Sequence, residues 1–191
     1  MGAPYATNAA TFLIHTLFGL YILVVMLRFL FQVVRADFYN PVSQFVVKAT
    51  NPPLVPLRRI VPGFAGVDLS AVVLMLILQF IELWLIFKVL GQPGSLAGLA
   101  ALSVAELLNI ALNVFFFAIL IQVILSWVNP GVYNPMTSLL HSLTEPILRP
   151  ARRLIPPISG LDLSPIAAII ALKLLEYLFI HPVRDLARSL L

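Results

Sequence analysis

The sequence predicts an all-α membrane protein with four transmembrane helices, arranged as two tandem repeats of the same orientation. Composition is the first observation behind this prediction. Of the 191 residues, 61% are hydrophobic and only 10% are charged, whereas a soluble domain has about 25% charged residues. The mean hydropathy of +1.02 indicates a bilayer as the surrounding medium. Four long apolar segments and an internal repeat are the other two observations.

Four segments are long enough to cross a bilayer, since a helix needs about 20 apolar residues to span a hydrocarbon core of roughly 30 Å. They cover residues 9–34, 69–90, 102–128 and 163–180. The runs are too long for the strands of an outer-membrane barrel and lack their alternation. No Lys or Arg precedes the first segment, so we expect a retained span and not a cleaved signal peptide. The glycines and proline of residues 91–95 predict a turn between the second and third spans.

The internal repeat has an offset of 94 residues. Residues 40–70 and 134–164 are identical at 13 of 31 positions, whereas ordinary residue usage gives about two matches by chance. Glu82 and Glu176, inside the second and fourth spans, obey the same offset. The pattern therefore predicts the duplication of one unit, which consists of a span, a connection and a second span.

The boundaries of the two units follow from this offset. The first repeat covers residues 1–95, with its connection at 35–68. The second covers residues 96–191, with its connection at 129–162. Because each unit has two spans, both copies have the same orientation. We therefore expect a pseudo-twofold axis along the membrane normal.

Each connection is predicted to contain an amphipathic helix. Asn40 and Asn134 are suitable N-caps, and each is followed by a proline, which the first helical position accepts. Pro52 and Pro146 are expected to stop or redirect these helices about three turns later. About ten residues are too few to cross a bilayer, so each helix is expected to lie in the headgroup plane or to dip into it.

The two connections share the motif Asn-Pro-x8-Thr-x-Pro-x3-Pro-x-Arg-Arg-x2-Pro, followed by Gly-x-Asp-Leu-Ser. This pattern resembles the YggT family, called YlmG in some bacteria and plastids, and the likeness covers nearly the whole chain in a two-copy form. The resemblance implies an inner-membrane protein linked to cell division, the envelope or osmotic homeostasis. In plastids it implies a link to the assembly of membrane complexes and to nucleoid organisation. It supplies no catalytic residues for this sequence.

The distribution of basic residues predicts the orientation. The two connections carry seven Lys or Arg side chains, whereas the N-terminal tail and the central link carry none. Arg184 and Arg188 in the C-terminal tail are the main basic residues on the other side. By the positive-inside rule, both connections are expected in the bacterial cytoplasm and both termini outside the inner membrane.

Paired arginines near the end of each connection are the candidate lipid- or partner-binding residues: Arg58, Arg59, Arg152 and Arg153. They lie in a segment predicted to be a short kinked helix or a rigid turn. An arginine near an anionic membrane surface contributes about 1 kcal/mol to binding. A simpler interpretation is that these arginines only set the topology and anchor the loop. We expect Asp68 and Asp162, ten residues further on, to pair with them and to fold each connection back on itself.

Six polar side chains are expected inside the membrane: Arg28, Gln79, Glu82, Gln122, Lys173 and Glu176. A carboxylate at this depth costs a few kcal/mol unless it is paired, protonated or hydrated. Lys173 and Glu176 can pair on one helix face. In the first repeat Gln79 stands at the position of Lys173, so Glu82 lacks this basic partner. Arg28 lies closer to the connections and can snorkel to the headgroups or reach Asp68. One polar seam is interpreted either as polar contacts between helices or as a cation or proton path, and its members are Glu82, Glu176, Lys173, Gln79, Gln122, Asn113 and Asn109.

The sequence favours a non-enzymatic scaffold or assembly factor over an enzyme. It has no cysteine, its three histidines are scattered, and it has no phosphate-binding loop, catalytic triad or zinc-protease motif. We therefore expect no cofactor, no metal site and no catalytic residue. The expected partners are anionic lipid headgroups and a membrane protein or a second copy, with no direct nucleic-acid contact. The alternative function is a small cation or proton pathway that uses Glu82 and Glu176.

Overall fold

The computed structural model describes residues 3–63, 66–128, 134–156 and 162–191, and all long elements there are helical. Gly160 and Leu161 of the second Gly-x-Asp-Leu-Ser motif lie outside these ranges. The elements are α1 (Ala3–Val33), α2 (Pro41–Leu57), α3 (Leu69–Leu90), α4 (Leu96–Val128), α5 (Pro135–Leu154), α6 (Ser164–Leu175), a π-helical turn (Glu176–Ile180) and α7 (His181–Ser189).

Four helices are long and apolar enough to cross a membrane, and each of the two repeats contributes two of them. These spans are α1, α3, α4 and the continuous helix Ser164–Ser189, which consists of α6, the π-helical turn and α7. The chain is therefore an all-α membrane protein with four spans in two repeats. Each connection contributes one further helix, α2 or α5, between the two spans of its repeat.

The third and fourth spans are longer than the apolar segments that predicted them. The third begins at Leu96 and not at residue 102, because Ser95 caps it: its hydroxyl accepts a hydrogen bond from the Gly98 N–H at 2.9 Å. The fourth continues past residue 180 because its polar end packs along α4, where Arg184 lies 2.9 Å from Glu106. Hydropathy marks the part of a helix that lipid covers, and capping and packing determine where the helix ends.

The four spans pack in the order α1, α3, α4 and fourth span. The main core lies between α1, α3 and α4 and includes Ile22, Val25, Met75 and Val114. In the second repeat, Ile119, Leu148 and Leu172 form a smaller cluster. An exact twofold axis between the repeats would exchange α3 with α6 and α4 with α1. The contact between α3 and α4 would then be matched by one between α6 and α1. Among the described residues that contact does not occur, so the bundle is open on one side.

The connection helices run through prolines that were expected to stop or redirect them. α2 continues past Pro52 and Pro53 to Leu57, and α5 continues past Pro146 to Leu154. A proline leaves the carbonyl four residues earlier without its helical donor. In α2 the carbonyl of Ala49, which faces this loss at Pro53, accepts a hydrogen bond from the Tyr21 hydroxyl of α1 at 3.4 Å. Packing against the first span thus replaces the donor that Pro53 removes.

The link between the repeats is a compact turn. Gly91 ends α3 in the left-handed conformation with φ 65°, and its N–H donates to the Lys88 carbonyl at 3.2 Å. The N–H of Gln92 donates to the Phe87 carbonyl at 3.0 Å. This is the Schellman arrangement, in which glycine is favoured because it has no Cβ. The turn predicted at residues 91–95 is present.

Gly98, near the start of α4, lies against the end of α7. A Cβ added there would lie 2.9 Å from the Leu190 carbonyl carbon and 2.8 Å from Leu191 Cδ2, whereas a Cβ at Gly19 in α1 would meet nothing within 4 Å. We expect Gly98→Ala to lower the unfolding free energy in detergent by about 1–3 kcal/mol through steric displacement of α7. Gly19→Ala should not lower it, because alanine is the better helix former. Equal stability of both variants would contradict this packing.

Candidate functional site at the connection face

Both connection helices lie at one end of the bundle, which we call the connection face. Each is attached to the first span of its repeat by hydrogen bonds that include a threonine of the connection helix. Arg28 of α1 donates from Nη1 to Thr50 Oγ1 at 2.7 Å and to Asn51 Oδ1 at 2.8 Å. In the second repeat the Thr144 hydroxyl donates to Gln122 Oε1. Arg28 and Gln122 are equivalent at the offset of 94 residues, as are Thr50 and Thr144.

The sequence left open whether Arg28 snorkels to the headgroups or reaches Asp68, and in the structure its side chain bonds to α2 instead. Its side chain is buried, with 7% of the residue exposed, and its hydrogen bonds go to α2. It neither snorkels to the surface nor hydrogen-bonds to Asp68. Sequence reasoning missed Thr50 as the partner of Arg28 and Thr144 as the partner of Gln122, although the two threonines are identical positions in the repeat. Because the Thr50 hydroxyl accepts from Arg28 and donates to the Val46 carbonyl, one turn earlier, it lies at the centre of a small polar network. The Thr144 oxygen lies 2.9 Å from the equivalent carbonyl, that of Leu140.

The second attachment is an ion pair across each connection. Arg58 Nε donates to Asp68 Oδ2 at 3.1 Å, and the Nη2 of Arg58 contacts the same oxygen. Arg152 Nε donates to Asp162 Oδ2 at 3.0 Å, and its Nη1 donates to Glu145 at 2.9 Å. The structure therefore contains the expected arginine–aspartate pair in both repeats. Each pair links the end of a connection helix to the start of the next span.

The environments of the two aspartates differ. Asp68 is 4% exposed, and burial alone would raise its pKa, but hydrogen bonds from Arg58 and Ser70 hold the pKa below its usual value. Asp162 is more exposed; burial also opposes its ionisation, and contacts with Ser164 and Arg152 lower its pKa. Both acids are therefore charged at neutral pH and contribute their ion pairs to the fold there.

The four candidate arginines divide into two classes. Arg58 and Arg152 face inward to acids, whereas Arg59 and Arg153 are exposed and have no carboxylate partner in the part of the chain that the structure describes. Three further basic side chains, Arg35, Lys48 and Arg149, are exposed on the connections. Large apolar side chains are exposed among these basic groups: Phe38, Tyr39, Phe45, Ile60 and Leu154. The connection face is therefore both basic and apolar.

The intramembrane acids lie in separate clusters. Glu82, 2% exposed, accepts from Gln79 Nε2 at 3.2 Å and lies 2.7 Å from His15 Nδ1. Glu176 is 2.7 Å from Lys173 Nζ, as its spacing predicted. Among the described residues, α3 does not contact α6 or the π-helical turn, and no hydrogen bond or ion pair joins the cluster of Glu82 to that of Glu176. The Glu106–Arg184 pair lies within electrostatic range of both acids.

The sequence did not predict the partners of two acids in the spans, Glu82 and Glu106. His15 is 67 positions from Glu82, and Arg184, which pairs with Glu106, is 78 positions from that acid. His15 corresponds to Asn109 at the repeat offset, and this shared polar position in the first span of each unit was the available signal. No group of three or more His, Cys, Asp or Glu that could hold a metal ion occurs within the described ranges.

The Asp68 ion pair gives a prediction about pH. We expect Asp68→Asn to lower the unfolding free energy at pH 7 by about 1–2 kcal/mol, the lower part of the range for charged hydrogen bonds, because Arg58 is 41% exposed and solvent screens the pair. Because the folded pKa is depressed, this contribution is present above the unfolded pKa of about 3.9 and is lost as the pH falls through the folded value. Chemical unfolding in detergent at pH 7 and pH 3 measures both effects.

Asp162→Asn is the matched variant for this experiment. Asp162 has a side-chain exposure of 35%, and Glu145 still holds Arg152 when it is replaced. Its loss should therefore cost less, about 0.2–1 kcal/mol. A stability difference between wild type and Asp68→Asn that stays constant from pH 7 to pH 3 would contradict the role assigned to this carboxylate.

The sequence of this chain is similar to those of several known proteins. The family model described as CCB3/YggT matches residues 7–89 and 101–183. An uncharacterized protein of Pseudomonas aeruginosa is 50% identical over 176 residues, which cover 91% of this chain and 89% of that protein. The uncharacterized protein YggT of Escherichia coli K12 is 39% identical over 171 residues, which cover 88% of each chain.

A shorter match involves a plant protein. YlmG homolog protein 2, chloroplastic, of Arabidopsis thaliana is 37% identical over 84 residues, which cover 42% of this chain and 31% of that protein. No solved structure matches the chain. Because the family model matches both halves, each with its span, connection and second span, the chain belongs to the CCB3/YggT family.

Proposed function

We propose that the protein is a non-enzymatic scaffold or assembly factor of the bacterial inner membrane, and that its connection face binds anionic lipid headgroups and partner membrane proteins. One observation carries the proposal. In both repeats a polar contact and an ion pair fix the connection helix to its own spans, while Arg59 and Arg153 stay outside. The basic groups are thus presented on a preorganised surface.

The chemistry of this surface suits a membrane interface. Five exposed basic side chains lie beside exposed aromatic and aliphatic groups, which can enter the headgroup region while the cations meet phosphates. At about 1 kcal/mol for each basic residue near an anionic surface, the set contributes roughly 5 kcal/mol. Preorganisation lowers the entropic cost of binding, because helices already attached to the spans need no ordering.

The orientation belongs to the same proposal. The seven basic residues of the connections favour a cytoplasmic connection face, with both termini on the outer side. There the face meets the anionic cytoplasmic leaflet. A link to cell division, the envelope or osmotic balance, suggested by the family resemblance, would then act through partner proteins or a second copy that dock on this face. A cation or proton pathway has less support, because Glu82 and Glu176 lie in separate clusters.

Charge reversal of the exposed arginines tests lipid binding. We expect Arg59→Glu with Arg153→Glu to weaken the binding of phosphatidylglycerol by at least about tenfold, because each reversal removes an attraction and adds a repulsion. Native mass spectrometry of the detergent-purified protein counts the retained lipids. These two positions are preferred over Arg58 and Arg152, whose ion pairs hold the connections in place.

The control for this experiment reverses the same number of charges elsewhere. Lys88 and Arg188 are exposed, lie outside the connections, and change to glutamate with an equal effect on net charge. Phosphatidylglycerol binding by this control should stay within about twofold of wild type. A similar loss in both double variants would show that net charge alone governs lipid binding, and unchanged binding in both would overturn the proposal.

Single cysteines test the orientation, since the chain has no cysteine of its own. Arg59→Cys and Arg153→Cys should react with a membrane-impermeant maleimide only after the membrane is opened. Gln92→Cys, in the exposed link between the repeats, should react in intact spheroplasts. The opposite pattern would reverse the proposed topology. Labelling of positions 59 and 153 from different sides would contradict the parallel orientation of the repeats.

A further inference from the structure

A cavity of about 520 Å³, lined by both apolar and polar side chains, opens at the connection face of the first repeat. Its walls come from the end of α1, the loop that follows, and α2. Six polar side chains line it: Arg28, Gln32, Arg35, Ser43, Asn51 and Arg58. All six can donate hydrogen bonds, and three of them carry a permanent positive charge.

The charges in this cavity are not balanced. Arg58 is paired with Asp68, but the hydrogen bonds of Arg28 go only to uncharged oxygens. Asp68 is the carboxylate within electrostatic range of Arg28, and it is already bound by Arg58. Arg35 has no carboxylate partner among the described residues. A buried cation without a counter-charge is costly, so an anion in this cavity would be strongly favoured.

Ser43 provides a second, independent sign of a missing ligand. The residue is 4% exposed and lines the cavity, yet its hydroxyl has no hydrogen-bond partner within the described part of the chain. Buried polar groups are nearly always hydrogen-bonded, and an exception calls for an explanation. The equivalent residue in the second repeat is Thr137, whose hydroxyl closes a capping box with Asn134. The first repeat leaves the corresponding hydroxyl available.

The backbone at Arg35 is a third sign. Arg35 has φ 54°, and it occupies the position after α1 where its N–H bonds to the Gln32 carbonyl and the Ala36 N–H bonds to the Phe31 carbonyl. Glycine is the favoured residue at this position of a Schellman motif. A side chain there costs on the order of 1 kcal/mol or more. The arginine is therefore kept against the local backbone preference, and its side chain contributes to the cavity wall.

The second repeat shows how the same site is neutralised. Gln122 stands where the first repeat has Arg28, and Glu145 stands where it has Asn51. As a result Arg152 is held by two acids, Glu145 and Asp162. Duplication has therefore produced one repeat with an excess of positive charge at this site and one in which acids neutralise the arginine.

We propose that the cavity of the first repeat binds one phosphoryl group, either that of an anionic lipid headgroup or a free phosphate. Guanidinium groups match the planar pairs of oxygens on a phosphate, and the Ser43 hydroxyl and Asn51 and Gln32 amides supply further donors. As a lipid site it rests on the proposed function, since the ligand would come from the leaflet at the connection face. It narrows that function from a diffuse basic surface to one specific headgroup site in one repeat.

Binding by the full chain in a nonionic detergent tests this proposal. The probes are dioctanoyl phosphatidic acid, inorganic phosphate and dioctanoyl phosphatidylcholine, with affinities from microscale thermophoresis. Arg28→Gln and Arg35→Gly should each weaken phosphatidic acid binding about tenfold, the loss of one charged contact. The control, Arg153→Gln, removes an equal charge from an exposed position outside the cavity and should stay within about twofold.

Both test variants are expected to fold. Gln122 contacts Thr144 in the second repeat, so glutamine can serve at position 28, and glycine relieves the positive φ at position 35. Arg35→Gly should therefore unfold at no lower temperature than wild type while it binds phosphatidic acid more weakly. A merely structural role for Arg35 would not give this combination. Asn51→Glu copies Glu145 and should abolish the high-affinity binding.

The probes separate the two sources of the ligand. Binding of phosphatidic acid that inorganic phosphate does not displace supports a lipid headgroup, and equal binding of inorganic phosphate supports a free anion; both support the cavity. Unchanged affinity in Arg28→Gln and Arg35→Gly overturns it. If only the Arg59 and Arg153 double reversal reduces binding, the scaffold proposal stands and the cavity proposal fails. If only Arg28→Gln and Arg35→Gly reduce binding, the cavity proposal stands and lipid binding by the wider basic surface is refuted.

Discussion

The hydrogen bond between the first span of each repeat and a threonine of its connection helix is the contact on which the rest of the connection face depends. Thr50 and Thr144 are fully buried and bonded to Arg28 and Gln122. Prolines weaken each connection helix, so it needs outside contacts to stay helical at the membrane surface. Once this contact holds the helix against its span, the following loop is short enough for an arginine to reach the aspartate that precedes the next span.

Positions that the two repeats share differ in role from positions where they diverge. The threonines, the inward arginines and the aspartates are identical in both copies, and they hold the connections in place. The replacements of Arg28 by Gln122 and of Asn51 by Glu145 preserve the attachment but change the charge that surrounds it. Fold and charge can therefore vary independently at this face, which allows a duplicated unit to acquire one specific site without losing its architecture.

The repeat pattern allowed much of this architecture to be predicted. The apolar segments located the four spans, and the repeat located the capped connection helices and the arginine–aspartate pairs, because these follow from local spacing or from a ten-residue interval. The continuation of α2 through Pro52 and Pro53 could not be predicted, since it depends on donors such as Tyr21 from another helix. The same holds for His15 with Glu82, which lie on different spans and meet only when α1 packs on α3.

The polar contacts also indicate how independent each repeat is. In the first repeat the bonds of Arg28, Asp68 and Glu82 all go to partners within residues 1–95, and those of Gln122, Asp162 and Glu176 stay within the second. Within the described ranges, one hydrogen bond between the repeats joins Asn40 Nδ2 to the Pro135 carbonyl at 2.6 Å, and another runs from the Ser95 hydroxyl to the Leu190 carbonyl. Unpaired polar groups are costly in lipid, and each repeat satisfies most of its own. The main apolar core, by contrast, is shared, because α4 of the second repeat packs with α1 and α3 of the first. The match to a plant relative covers 84 residues, close to the length of one repeat.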